Sequence, residues 1–279
     1  MDWSRIKTIL IIVLLVTNVL LGVTYVQSKI AFEQSQRDQL DRVVTLLNQN
    51  GIQIETDQMS FPKSLESVEV AFETYTENDV KVFLGENFEQ NGDLYTKGVA
   101  SVQIDEMGLI FKLREIPQTI LDMGLPFDAV DDTGALLDLV SSVQEKYGFE
   151  SDYEIERSYQ REGYQIVDAK QVYEGAILDD SDMVLVFYKN NLVYFERSWL
   201  TINNDISPNK YDIISLDRAL YMTMPKLSSG DEITEIGISY KLNDSSSVVS
   251  NLISGEALPF YSIKVSDGNT YYVRAIVEN

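Results

Sequence analysis

The spacing of apolar positions changes period several times along this chain, and each change predicts a different element. The first stretch has no polar face at all. From Ile9 to Val23 it carries no charge, and Ile6 to Val26 spans 21 residues. At about 1.5 Å per residue that covers a hydrocarbon core of roughly 30 Å, which predicts a transmembrane helix. Trp3 and Tyr25 lie near its two ends, where amphipathic aromatics favour the interface. A cleaved signal peptide would need a shorter apolar region and a small-residue cleavage site, and Val26-Gln27-Ser28 is a poor one. An uncleaved anchor is therefore expected.

Beyond the anchor the period becomes helical and amphipathic. Leu40, Val43, Val44 and Leu47 recur at i, i+3, i+4 and i+7, which predicts a helix over Ile30 to Asn50 stopped by Gly51. Alternation then takes over in "SLESVEVAFETY", where Leu65, Val68, Val70 and Phe72 mark a half-buried strand. "DVKVFLGENF" and "DLYTKGVASVQIDEMGLIFKLRE" read as further strands, the last pair meeting at a Glu106-Met107-Gly108 turn. The Pro- and Gly-bearing stretch "REIPQTILDMGLPFDAVDD" is the best domain boundary.

The order then returns. "TGALLDLVSSVQEKYGF" predicts a helix with Thr133 as its cap, followed by strands in "YEIERSYQREGYQIVDAKQVYEGAIL", "MVLVFYKNN" and "LVYFERSWLTI". "SLDRALYMTMPKL" predicts another helix, with Ser215 as N-cap and Asp217 in its first turn. Strands "DEITEIGISYKL", "LPFYSIKVSDG" and "NTYYVRAIVEN" close the chain, the last two joined across Asp267-Gly268-Asn269. The expected fold class is α+β, an N-terminal transmembrane helix followed by extracellular units of helix plus antiparallel sheet. The expected domains are 1–29 (tail and transmembrane helix), 30–125 (first α+β domain) and 126–279 (second α+β domain).

Composition removes most chemistry from this frame. The 279 residues contain no Cys and no His, so the usual zinc ligands, the commonest general base and the Ser-His type of triad are absent. There is no P-loop, GxGxxG or GxSxG motif, and no carboxylate pair stands out for glycoside hydrolysis. Asp179, Asp180 and Asp182 in "LDDSDM" are candidate oxygen ligands for calcium, but EF-hand spacing is missing and the stretch reads as a solvated hairpin loop. Asp131-Asp132 and Asn203-Asn204-Asp205 read as turns. The 16 Tyr residues read mainly as sheet positions, with a share available for a protein-binding face. No catalytic residue, cofactor site or metal site is expected, and the chain reads as a non-enzyme.

Charge narrows the partners. The formal net charge is −22, and residues 1–29 hold Arg5, Lys7 and Lys29 against Asp2 alone. The other 250 residues carry 19 basic and 43 acidic side chains, a surface that repels nucleic acid and anionic lipid. Arg5, Lys7 and the terminal amine face Lys29, Arg37 and Arg42 across the apolar run. The two bases nearest the bilayer favour a cytoplasmic N-terminus, with the acidic bulk outside.

One position in the anchor is out of character. Asn18 places a carboxamide near the middle of the apolar run, and at helical spacing it shares a face with Leu14, Leu15 and Gly22. Either the amide returns to its own helix backbone, or one Asn is simply tolerated in so apolar a run, or it hydrogen-bonds across to a second helix that approaches over Gly22. These four residues are the candidate partner-binding site.

Several segments resemble one family. The opening "MDWSRIKTILIIVLLVTNVLLG", then "YQIVDAK" around Asp168-Ala169, "LDRALYMTMPKL" from Leu216 and "NTYYVRAI" resemble, in that order, the YycI (WalI) proteins of low-GC Gram-positive bacteria. Two departures stand out: Phe260-Tyr261 follows Pro259 where the family usually has a Trp, and Arg274 stands where it often has Asn. The resemblance implies a single-pass membrane protein in the cell membrane with its bulk extracellular. It also implies partnership with YycH and the sensor histidine kinase WalK (YycG), whose activity in cell-wall homeostasis it modulates through transmembrane-helix contacts. The rival reading is an anchored cell-envelope protein that binds or hydrolyses wall carbohydrate, and a third is a structural subunit of a membrane complex.

Overall fold

The computed structural model describes residues 3–54, 61–113, 116–117, 120, 128–129, 133–149, 152–243 and 254–277, with backbone alone at 3–6, 8–13, 31–33, 36, 128–129, 133 and 135. In chain order it begins with α1 (Trp3–Gln49), β1 (Gln53–Ile54), β2 (Ser64–Glu66), β3 (Val68–Phe72) and α2 (Glu77–Leu84). There follow β4 (Glu89–Asn91), β5 (Leu94–Lys97), β6 (Ala100–Ile104), β7 (Leu109–Lys112), β8 (Asp128–Ala129) and α3 (Thr133–Tyr147). Next come β9 (Tyr153–Arg161), β10 (Tyr164–Tyr173), β11 (Ala176–Tyr188), β12 (Asn191–Ser198), β13 (Leu200–Ile202) and β14 (Lys210–Asp212). The last elements are α4 (Leu216–Thr223), continued by a 3-10 turn over Met224–Lys226, then β15 (Glu232–Leu242), β16 (Ser254–Val265) and β17 (Thr270–Arg274). The fold class is mixed α+β, as expected.

The structure does not show a transmembrane helix: among the described residues, no helix is long and apolar enough to cross a membrane. Much of the first half of the apolar run, 6 and 8–13, has its side chains outside the described residues. The run and the amphipathic helix after it are not two elements. They form one uninterrupted helix of 47 residues, about 70 Å long.

Two compact units emerge, neither contiguous in sequence. The expected boundary between residues 125 and 126 lies outside the described residues. The first unit comprises 1–63, 214–235 and 263–273. Here α1 packs on α4, and β1 pairs in parallel with the start of β15, Gln53 opposite Glu232 and Ile54 opposite Ile233. Leu47, Ile52, Ala219, Leu220, Ile233 and Ile263 are buried in it.

The second unit comprises 64–213, 236–262 and 274–279. Its sheet is dominated by the antiparallel run β9–β10–β11–β12–β7–β6–β5–β4. Three of its hairpin turns have both central residues at positive φ: Glu162 (51°) with Gly163 (80°), Glu174 (50°) with Gly175 (82°), and Lys189 (51°) with Asn190 (60°). That turn geometry matches the right-handed twist of the flanking strands. Helices α2 and α3 share one core with this sheet. Val80 and Leu84 of α2 and Val140 and Val143 of α3 pack with Val167, Met183, Leu185, Phe187 and Phe195.

One expected strand is a helix. "DVKVFLGENF" is rich in Val and Phe, residues that favour strands, yet Glu77–Leu84 is α2. Thr76 caps it, accepting from the Asn78 N–H at 3.3 Å, and its own N–H donates to Asp79 Oδ2 at 2.6 Å. Val80 and Leu84 then fall one turn apart on the buried side, and Gly85 at φ 69° ends the helix. A reciprocal cap and an i, i+4 buried pair outweigh β-branched propensity.

Candidate functional site

The four residues singled out in sequence share one side of α1, and all are exposed. Leu14 is 59% and Leu15 61% accessible, and nothing lies within 4 Å of a Cβ built on Gly22. At about 100° per residue, Leu14, Leu15, Asn18 and Gly22 span about 100° of the circumference. The rest is also apolar: Val16, Val19, Leu20, Leu21 and Val23 are exposed on the other sides. Hydroxyls along the helix are satisfied locally. Thr24 donates to the Leu20 and Leu21 carbonyls at 3.0 Å, and Ser28 to the Tyr25 carbonyl at 2.9 Å. Among the described residues, the Asn18 side chain has no corresponding bond to its own helix. The amide is left open for another partner.

The far end of α1 is fixed by its closure. The Gly51 N–H donates to the Asn48 carbonyl and the Ile52 N–H to the Leu47 carbonyl, both at 3.0 Å, a paired C-cap that needs Gly51 at φ 78°. A Cβ there would also collide with the Ser229 hydroxyl. Asn50 Nδ2 donates to the Leu46 carbonyl at 2.8 Å and lies 3.7 Å from Met224 Sδ. Leu47 is fully buried, while Leu40, Val43 and Val44 are half-buried on the same side.

The acidic stretch is not a hairpin loop. Asp179, Asp180 and Asp182 lie inside β11, in an irregularity where Ala169 pairs with Met183 but Gln171 pairs with Leu178. Residues 179–182 therefore bulge opposite Lys170 alone. Their charges are taken: Lys170 contacts Asp182 at 2.7 Å, Lys241 pairs with Asp179, and Asp180 accepts from the Leu242 N–H at 2.6 Å. Lys170 also donates to the Asp179 carbonyl at 2.8 Å. Two ammonium groups are paired with these carboxylates, and among the described residues no group of three acidic, His or Cys side chains is arranged for a metal. Asp205 N–H donates to Asn203 Oδ1 at 3.1 Å, a turn as expected. Asp131-Asp132 and the cap role of Thr133 lie outside the described residues. Ser215 does occupy the N-cap position of α4, but its side chain makes no cap bond.

Two charged positions were missed. Arg197 of β12 is only 2% exposed. It pairs with Glu73 and donates to the Tyr75 hydroxyl at 2.6 Å, and its guanidinium lies 4.9 Å from the Phe149 ring and 4.8 Å from the Trp199 ring. Burial lowers its pKa to about 9, while the Glu73 carboxylate favours the charged form, so it is a cation at neutral pH. Burial and then Asp79 push the Tyr75 hydroxyl up, keeping it a neutral donor to Glu73 at 2.9 Å. The signal lay in the alternation: Phe195, Arg197 and Trp199 occupy inward positions, and an inward Arg requires a partner.

Asp168 of β10 is the second. It stands opposite Arg157 on β9 and Val184 on β11, and its Oδ2 is buried without a hydrogen bond. Burial raises its pKa to about 6; Arg157 opposes that rise, Glu156 and Asp182 add to it, and Lys170 opposes it. A carboxyl raised above its unfolded value favours folding most when protonated, and that contribution fades as pH rises through the folded pKa. Asp168→Asn is therefore expected to stabilise the protein by about 1–2 kcal/mol near pH 7.5 and to lose the advantage below about pH 4. Urea midpoints at the two pH values check this. An unchanged difference would remove burial of charge as the cause.

Comparison with known proteins adds little. No protein-family model and no curated protein matches the chain. Among solved structures, the chain is similar to the Bacillus megaterium YpeB C-terminal domain, at 12% identity over 72% of this chain and 91% of that chain, with a TM-score of 0.39. That is a weak likeness of fold.

Proposed function

We propose that this protein is a non-enzymatic, membrane-anchored regulator of a sensor histidine kinase, acting through side-by-side contact between its N-terminal helix and a helix of the kinase. The observation that carries the reading is the first half of α1. Among the described residues, the side chains over 14–26 are exposed and mostly apolar, and they include one open carboxamide a turn from a glycine. A helix hydrophobic all round belongs in a core or in a bilayer, and the segment around Asn18 has no core around it. In hydrocarbon the Asn18 amide gains most from a polar partner on a second helix, and Gly22 lets that helix come close. The motif resemblance to YycI proteins supplies the partner class: the kinase WalK (YycG), with YycH as companion, the N-terminus cytoplasmic and the bulk extracellular. On this reading the helix binds one signalling state of the kinase better than the other and shifts the equilibrium by that difference.

The test is photo-crosslinking in native membranes from probes at Asn18, Gly22 and Leu20, the last on the opposite side of the helix. Capture of a histidine kinase from the first two positions and not from Leu20 is the expected result. Lipid adducts alone at all three would leave the helix a plain anchor and end the proposal.

A further inference from the structure

Building on the reading above, we infer that α1 is a rotationally fixed rod: the docking of its C-terminal end in the first unit sets the direction in which the Asn18–Gly22 face points. Three observations combine. The helix is continuous from Trp3 to Gln49, with no break between the proposed membrane segment and the docked segment. Its C-terminal end is held by packing on α4, by the buried Leu47 and by the closure at Gly51. The two functional stripes are also in phase. At about 100° per residue, Leu14, Leu15, Asn18 and Gly22 centre within about 20° of Leu40, Val43, Val44 and Leu47. A drift of about 1° per residue over the interval would separate them by only about 25° more, well inside the width of one helix face.

The consequence is directional. A partner helix engaging Asn18 lies on the same side of α1 as the buried stripe of its C-terminal end. Any movement of α4 against the end of α1, whether by rotation or by sliding, reaches the Asn18 face as the same movement. A flexible tether after the anchor would transmit neither.

Residue insertions after Gln34, in the full chain in native membranes, separate rod from tether. Two inserted residues turn the anchor by about 200°, carrying Leu20 to the setting Asn18 held, and seven return it to within about 20°. Regulation of the kinase is expected to be lost with two residues and retained with seven. Equal output from every insertion length would overturn the rod. A second measurement does not depend on the kinase. Because the chain has no Cys, spin labels at Gln27→Cys and Tyr221→Cys report one distance cleanly, both sites being exposed. A single narrow distance in full-length protein in vesicles is expected, and two-residue insertion shifts it to a different narrow value. A broad distribution would overturn the rod whatever the kinase does. A narrow distance in a chain whose uninserted form captures no kinase would instead count against the regulatory reading.

Discussion

Arg197→Ala is expected to cost about 3 kcal/mol of folding stability, a large share of the roughly 5–15 kcal/mol that holds an ordinary domain together. Arg197 lies in the second unit, between Phe195 and Trp199 of the core that α2 and α3 share with the sheet, and it makes contacts of two kinds. Its charge meets Glu73 and the Tyr75 hydroxyl, and its flat faces meet Phe149 and Trp199. Truncation leaves a cavity under those rings and a carboxylate without its cation. Glu73 is 37% exposed and can rehydrate, so its share of the penalty is small and the estimate sits at the low end of values for broken buried pairs. Most of the loss is packing.

That division predicts the rest of the series. Arg197→Met keeps much of the volume and should recover part of the loss, and Arg197→Met with Glu73→Gln should recover more, since no lone charge remains. Arg197→Lys should fail, because a single ammonium cannot serve Glu73, Tyr75 and two ring faces together. Urea unfolding measures all four. A loss under about 1 kcal/mol for Arg197→Ala would mean the residue is a tolerated charge and not a structural hub.

The same residue shows what was legible in the sequence. Strong local patterns carried the architecture: the alternation of Val68, Val70 and Phe72, the helix over Thr133–Tyr147, and the turns at Met107-Gly108 and Asp267-Gly268 are where the sequence places them. What failed was everything decided by partners distant in sequence. Arg197 and Glu73 are 124 positions apart, so only the misplaced charge on an inward register hinted at a pair. The aspartates at 179–182 look like a loop because the cation paired with Asp179, Lys241, arrives from 62 residues away. In α2 the conflict is local: Thr76 and Asp79 supply a helix cap, while the Val and Phe residues after them favour a strand. Leu14, Leu15, Asn18 and Gly22 do share one side of α1, a matter of helical spacing that needs no tertiary partner within the chain. The continuity of α1 was not legible, because the change in composition near Lys29 resembles an element boundary while the backbone passes through it unchanged.

On the proposed reading, exchange of residues 6–26 for an unrelated apolar helix of equal length is expected to abolish regulation of the kinase while the protein remains in the membrane at its normal level. If the helix were only an anchor, any hydrophobic span would serve. Point changes divide the effect. Asn18→Leu removes one cross-helix amide bond, worth about 0.6–2 kcal/mol, and should weaken the shift in kinase output by about threefold to thirtyfold. Gly22→Leu adds a side chain that meets nothing in the isolated chain, so it costs α1 no internal contact. Its whole effect falls on the approaching helix, and loss of close backbone approach should exceed the loss from Asn18→Leu. Leu20→Ala, on the far side, should do little. The ordering is the discriminating result, read as kinase output against membrane-bound protein: swap, then Gly22→Leu, then Asn18→Leu, then Leu20→Ala. Full activity in the swapped chain would place any regulatory surface outside residues 6–26, because a face that can be replaced wholesale has no specific contact to lose.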